Sequence, residues 1–266
     1  MSKSTCGIVI LAHQTEKTGY AIRDPLMSLL KSIRRHEKEH TNICIVTHQA
    51  KWLSEMAEFA DSIVEFKFGD AGYTDGNTLK NVYQLWHCTP WERNLVLSAD
   101  MLVLQDVSEV LESLRGQRLV FASKSKTYNN NPIKYNKLVD VHEKLNLNHL
   151  LTDIWYFEKE HTQEWFDLLG LYSANWDIVK EQLGTYAPDK YDHDVLISLV
   201  TDILDMNDEV KDLGLLEYTD MSIYKEWPKS LNYWIKPNLI KIENFAVGGL
   251  VHLSKHGPFR EIVDEY

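Results

Sequence analysis
The chain has 266 residues, of which 44% are hydrophobic, enough for one sizeable α/β core or two small ones. Its 39 acidic and 28 basic residues give a net charge of −11, which excludes a broad electrostatic grip on nucleic acid. Three cysteines without C-x-x-C spacing exclude a disulfide framework, and no stretch reaches the ~18 apolar residues of a membrane-spanning helix.

The first apolar run, Cys6 to Ala12, reads as a buried parallel strand. It is preceded by no signal-peptide pattern, so a soluble cytoplasmic protein is expected. The polar loop HQTEKTGYAIRD follows, and then Leu26, Leu29, Leu30 and Ile33 fall on one helical face. Ile43 to Val46 predicts a second strand, Lys51 to Ala60 a helix and Ser62 to Phe68 a third strand. The glycine-rich loop GDAGYTDGN leads to a helical stripe of Leu79, Val82, Tyr83 and Trp86. Leu95 to Leu97 is a fourth strand. Asp106 and Glu109 resemble a capping box, with Val107, Val110, Leu111 and Leu114 facing inward, and Arg118 to Ser123 is a fifth strand.

This alternation of strand and helix predicts a parallel sheet with crossover helices. The second half is less regular. TDIWYFEK reads as a strand, Thr162 as the cap of a helix through EWFDLLG, and Val195, Leu196, Leu199 and Ile203 as a helical face. Residues 206–240 resist assignment, and IKIENFAVGGLVHLSKHGPFREI reads as strand, Gly-Gly turn, strand and polar loop. With no linker or repeat, one domain over 1–266 is expected, its nucleotide-binding half at 1–125 and its acceptor-binding half at 126–266. Eight Trp and thirteen Tyr are read mainly as core and core edge.

One stretch raises a chemical question. In NLVLSADMLVL, Asp100 stands between two apolar runs, where an unpaired charge is costly. In open α/β sheets ligands bind beyond the carboxyl ends of strands, and Leu95-Val96-Leu97 would end there. A carboxylate at that edge can hold Mg²⁺ or Mn²⁺ together with a substrate diphosphate, or it can simply cap a turn. A second cluster, His252, Lys255, His256 and Gly257 in VHLSKHGPF, offers an imidazole for the metal and a cation for the diphosphate.

Together these segments resemble glycosyltransferase family 8, the glycogenin-like and galactosyltransferase-like enzymes. NLVLSADMLVLQDVSEVLESL is similar to the family's metal-binding strand, an apolar run, D-x-D, a second apolar run and a capped helix. YDHDVLISLV resembles its D-Q-D segment, VHLSKHGPF its terminal H-x-x-G-x-K-P-W segment with altered spacing and Phe259 for tryptophan, and NTLKNVYQLW the preceding helix. The resemblance implies a GT-A fold, a mixed and mainly parallel α/β sheet flanked by helices. It implies a nucleotide-diphosphate sugar, UDP-sugar above all, as donor, and Mn²⁺ or Mg²⁺ as cofactor. Residue by residue, it makes Asp100 and His252 metal ligands. Lys255 and Gly257 would lie near the diphosphate, His13, Gln14 and Lys80 would meet the nucleotide, and Asp192 and Asp194 would lie near the donor sugar or acceptor.

The chain also departs from the family. Ser98 takes the first D-x-D position, where its hydroxyl is a poorer metal ligand but can still bond to ribose or a bound water. His193 replaces the glutamine. Asp153 stands where the family prefers small neutral residues and is a candidate general base, which would make the enzyme inverting. The structural reading of Asp192 and Asp194 is a cap on the helix that begins near Val195. Neither a dinucleotide fingerprint nor a P-loop is present, and AHQTEKTGY does not suit a nucleotidylyltransferase loop.

Two further readings stand beside transfer to an unknown hydroxyl acceptor. One is a non-catalytic nucleotide-sugar-binding module, argued by Ser98. The other rests on a resemblance of the irregular tail to small glycosyltransferase-like proteins of tailed bacteriophages, some of which act on 5-hydroxymethylcytosine in DNA. There Lys124, Lys126, Lys134 and Lys137 would touch phosphates.

Overall fold
The structure, a computed structural model, describes residues 6–13, 22–72, 77–122, 125–126, 138–207, 218–220, 233–236, 239–242, 245–247 and 249–252. In chain order the first half contains β1 (Cys6–Leu11), α1 (Arg23–His36), β2 (Ile43–Thr47), β3 (Ser62–Glu65), α2 (Leu85–Cys88), β4 (Arg93–Leu97), β5 (Met101–Val103), α3 (Ser108–Ser113) and β6 (Leu119–Ala122). The second half contains β7 (Ser125–Lys126), α4 (Leu138–Leu145), β8 (Leu151–Glu158), α5 (Gln163–Ala174), α6 (Trp176–Leu183), α7 (His193–Ile203), β9 (Tyr218–Asp220), β10 (Tyr233–Lys236), β11 (Leu239–Ile242), β12 (Phe245–Val247) and β13 (Leu250–His252).

A six-stranded sheet in the order β3-β2-β1-β4-β8-β6 forms the centre. The first four strands in that order are mutually parallel, and β8 runs antiparallel to both β4 and β6. The chain moves outward from β1 to β3 and then returns to the other side of β1 with β4. The boundary between β1 and β4 is therefore the switch point where a crevice opens at the carboxyl edge.

Strand periodicity sorts the core into two layers. Ile8, Ile10, Leu95 and Leu97 face α1 and α3, and Val9, Val96 and Trp155 face α5 and α7. The expected stripe of α1 is fully buried: Leu26, Leu29 and Leu30 are 0% exposed and Ile33 1%. Asp24 in its first turn and Arg34, Arg35 and His36 in its last complement the helix dipole. Gly7 is where β1 passes closest to its neighbours. A Cβ there would lie 2.6 Å from the Trp91 ring and 2.8 Å from the Asn42 carbonyl, so no larger residue fits.

Several local expectations shift. The segment expected to be helical from Lys51 is a 3₁₀ helix, Ala50–Met56. The Leu79–Trp86 stripe begins as a 3₁₀ helix, Thr78–Gln84, and becomes α-helical only at α2. The buried amides of Asn81 and Gln84 hold the 68–72 loop, which fixes their positions against the ideal helical period. Asp106 does not form a capping box with Glu109: it accepts from the Ser108 N–H and hydroxyl, while Glu109 pairs with Lys38. Thr162 does precede α5, but its hydroxyl donates to the Glu158 carbonyl instead of accepting from the helix. Cys44 is buried, whereas Cys6 keeps partial exposure.

The C-terminal run splits differently from its expected form. β10, β11 and β12 make an antiparallel sheet of their own, and β13 leaves it to pair with β5 and β9 in a four-stranded sheet with β7. The remainder of the VHLSKHGPF loop lies outside the described residues.

Candidate functional site
Two strand pairings bring the site together. β4 ends at Leu97, and the next two residues lead to Asp100, just before β5. β5 pairs with β13 so that Met101 lies opposite His252, which sets the imidazole beside Asp100. β8 pairs with β4 in the opposite direction, and the Ser98 N–H donates to the Asp153 carbonyl at 2.8 Å. Asp100, Asp153 and His252 are distant in sequence and meet at one point of the sheet edge.

His252 Nε2 lies 3.2 Å from Asp100 Oδ1 and 3.5 Å from Asp153 Oδ1. The Ser98 hydroxyl donates to Asp100 Oδ1 at 2.5 Å. Burial pushes the Asp100 carboxyl up, but the His252 imidazole and the Ser98 hydroxyl outweigh it and hold the group below its ordinary range. The stranded carboxylate of NLVLSADMLVL is thus paired, hydrogen-bonded and still 19% exposed in its side chain. These groups open into a cavity of about 570 Å³ whose wall includes His13, Ser98, Asp100, Asp153, His193 and His252. Its size suits a small-molecule ligand.

A divalent cation of the Mg²⁺ or Mn²⁺ kind fits these residues. Ligand bonds of about 2.1 Å at right angles put neighbouring donor atoms about 3 Å apart, close to the His252–Asp100 separation. One or two carboxylates with an imidazole, completed by diphosphate oxygens, is an ordinary set for such an ion. Ser98 spends its hydrogen on Asp100, so it orients the Asp100 carboxylate and does not stand in for a second one.

The other candidate residues occupy distinct places. Asp192 is the N-cap of α7 and accepts from the Val195 N–H at 3.0 Å, the structural role that its position suggests. His193 is buried against the cavity, and burial pushes its pKa down to about 3, so the ring is neutral. Asp194 turns toward β8 and accepts from the Thr152 hydroxyl at 2.6 Å. Burial first, then the charges of Asp153 and Asp192, push its pKa up to about 7, against the Thr152 hydrogen bond. Lys80 sets its ammonium over the Tyr191 ring, 5.6 Å from the centroid, and does not line the cavity. Gln14, Lys255 and Gly257 lie outside the described residues, as do Lys124, Lys134 and Lys137; Lys126 is placed in β7.

Sequence reasoning passed over three residues: Thr152, which lines this cavity, and His48 and Asp70, which adjoin His13 at its border. His48 and Asp70 form with His13 a group whose ligand-type atoms all lie within 4.8 Å of one another. A signal for His48 was present in the sequence. Two apolar strands are each followed by His-Gln, at His13-Gln14 and His48-Gln49, and adjacent parallel strands place equivalent positions side by side.

No protein-family model matches the chain, and no curated protein matches it by sequence. Solved structures do. The galactosyltransferase LgtC, solved with donor and acceptor sugar analogues, is 12% identical with a TM-score of 0.55, covering 97% of this chain and 95% of that one. The bifunctional glycosyltransferase WbbM is 12% identical with a TM-score of 0.56, and the match covers 98% of this chain. Mouse xyloside xylosyltransferase 1 is 11% identical with a TM-score of 0.53, over 82% of this chain and 88% of that one. The chain spans half the length of WbbM. At these identities the likeness is one of fold, and the fold is the GT-A type, a mainly parallel sheet flanked by helices.

Proposed function
We propose that the chain transfers a sugar from a nucleotide-diphosphate donor, of the UDP-sugar class, to a hydroxyl acceptor. The observation that carries this reading is the convergence of Asp100, Asp153 and His252 on one cavity at the switch point of a GT-A sheet. The whole chain forms one unit in this account, with the nucleotide held by its first half and the acceptor by its second.

Asp100 and His252 would hold Mn²⁺ or Mg²⁺, and the cation would supply positive charge to the leaving diphosphate. Ser98 keeps the Asp100 carboxylate in one orientation by donating to it. His13, at the end of β1, borders the space for the nucleotide, and Lys255 and Gly257 are proposed partners of the diphosphate. Asp153 accepts the proton of the acceptor hydroxyl as its oxygen attacks the anomeric carbon and the bond to the diphosphate oxygen breaks. The Asp194 carboxyl, beside Asp153 and with a pKa near neutrality, limits the negative charge at that end of the cavity.

The test is hydrolysis of UDP-glucose and UDP-galactose with and without Mn²⁺. Slow metal-dependent hydrolysis that disappears in Asp100→Ala supports the enzyme. Donor binding without turnover, across every acceptor offered, leaves a nucleotide-sugar-binding module in its place. Inversion at the anomeric carbon of a transferred sugar is the result that Asp153 as base requires.

A further inference from the structure
We infer that His13, His48 and Asp70 form a second cation site, chemically distinct from the Asp100–His252 pair and built for a borderline first-row ion of the Zn²⁺ class. The two histidines follow adjacent parallel strands in matching positions. The Ala12 N–H donates to the Val46 carbonyl at 2.9 Å, which locks the ends of β1 and β2 together. Their rings lie 5.1 Å apart between centroids, and His13 Nε2 is 2.6 Å from Asp70 Oδ2.

The cluster is held in place from outside. Asp70 Oδ1 accepts from the Gly72 N–H at 3.1 Å and from the Asn81 amide at 2.8 Å, leaving Oδ2 toward His13. The fully buried Asn81 and Gln84 then tie the same loop through Ala71, Gly69 and Phe68. Outer hydrogen bonds of this kind orient the ligands of metal sites. The His13 side chain is 0% exposed, and its Nε2 is the ring nitrogen turned toward Asp70.

The donor set selects the ion. Two imidazoles and one carboxylate suit Zn²⁺, Co²⁺ or Ni²⁺, whereas Mg²⁺ prefers oxygen ligands. Zn²⁺ bonds of about 2.0–2.1 Å in a tetrahedron put donor atoms about 3.3 Å apart, so the short His13–Asp70 contact opens slightly on binding. Three protein ligands leave a fourth position for water or an anionic group. His13 also lines the large cavity, so that position borders the ligand space. The inference stands on this cluster alone and does not depend on glycosyl transfer.

Calorimetric titration of Zn²⁺ into the EDTA-stripped full-length chain tests it. One tight equivalent is expected in the unmodified chain and in Asp100→Asn, with affinity reduced about 100-fold in His48→Asn. Co²⁺ absorption on the unmodified folded chain gives a second readout, independent of any variant. An intense visible band of a low-coordinate site, displaced by one equivalent of Zn²⁺, supports the site. Zn²⁺ uptake unchanged in folded His48→Asn, uptake lost only in Asp100→Asn, or a pale six-coordinate Co²⁺ spectrum would each overturn it.

Discussion

Two clusters share the carboxyl edge of one sheet and are built in opposite ways. Asp100, Asp153 and His252 meet because antiparallel strands, β8 and β13, are brought against the end of β4 and its continuation into β5. His13 and His48 meet because two parallel neighbours carry the same residue at the same place. The first cluster is rich in oxygen and open to a cavity. The second is rich in nitrogen, half-buried at His48 and Asp70, and clamped by buried amides. In the proposed reading the construction sets the chemistry: converging strands from distant sequence would offer carboxylates to a hard cation and a diphosphate, while a repeated register would offer paired imidazoles to a softer one.

The sharpest way to break the contrast is to remove one cluster's charge and watch the other. Asp100→Ala should lower metal-dependent donor turnover by about 100- to 1000-fold, since the cation that Asp100 would hold supplies charge stabilisation of that order to the leaving diphosphate. Zn²⁺ uptake should stay within a factor of about two of the unmodified chain, because Asp100 does not belong to the second cluster. Steady-state hydrolysis and calorimetry on the same preparation read both.

The next effect falls on the frame that both clusters share. Leu29→Ala empties a position with 0% exposure beneath β1 and β5 and should cost about 2–5 kcal/mol in chemical denaturation. Donor and cation affinities should survive in the folded fraction. Loss of one cluster alone in this variant would show that they do not share a frame.

A smaller effect separates the clusters by pH. Asp194 has a folded pKa near 7, above its ordinary value, so the folded state binds its proton more tightly than the unfolded chain does. Its contribution is most favourable below about pH 4 and is lost as pH rises through 7. Asp194→Asn should therefore stabilise the protein by about 1–3 kcal/mol at pH 8 and by almost nothing at pH 4. Away from both sites His149 works in the other sense. Burial, then the nearby His142, lower its pKa to about 4, so its neutral form stabilises the fold above about pH 6.5. That stability is lost as pH falls toward 4, and His149→Gln should flatten the acid limb of a Tm-versus-pH curve by about 1–2 kcal/mol.

The smallest effect is a control. Lys38 and Glu109 pair at 2.8 Å with both side chains more than two-thirds exposed, and Lys38→Ala should leave the midpoint of chemical denaturation unchanged. A lowered midpoint would mean that this opposite edge of the molecule contributes more than solvent screening allows.

What could be read ahead of the structure follows from locality. The α1 stripe and the strands β1, β2 and β4 declare themselves through periods of 3.6 and 2 within a few residues. Asp100 was conspicuous because a charge interrupts an apolar run, and His252 because it closes one. Their contact depends on β5 pairing with β13, a separation of about 150 residues that no local pattern encodes, and it came into view through the family-like set of segments. The buried tie between Asn81, Gln84 and the 68–72 loop was hidden for the same reason. It turned a predicted helix into a 3₁₀ turn and placed Asp70 beside His13. Asp192 shows the converse: one acid at a helix start serves equally as cap or as substrate contact until its hydrogen bond is seen.

Thermal unfolding with UDP-glucose or UDP-galactose, with and without Mn²⁺, tests the central claim most directly. A donor that binds the folded state at 100 times its dissociation constant adds about 2.7 kcal/mol, a shift of several degrees. The account predicts such a shift with donor and Mn²⁺ together, and its loss in Asp100→Asn. No shift with either donor, or an equal shift in Asp100→Asn, would contradict it.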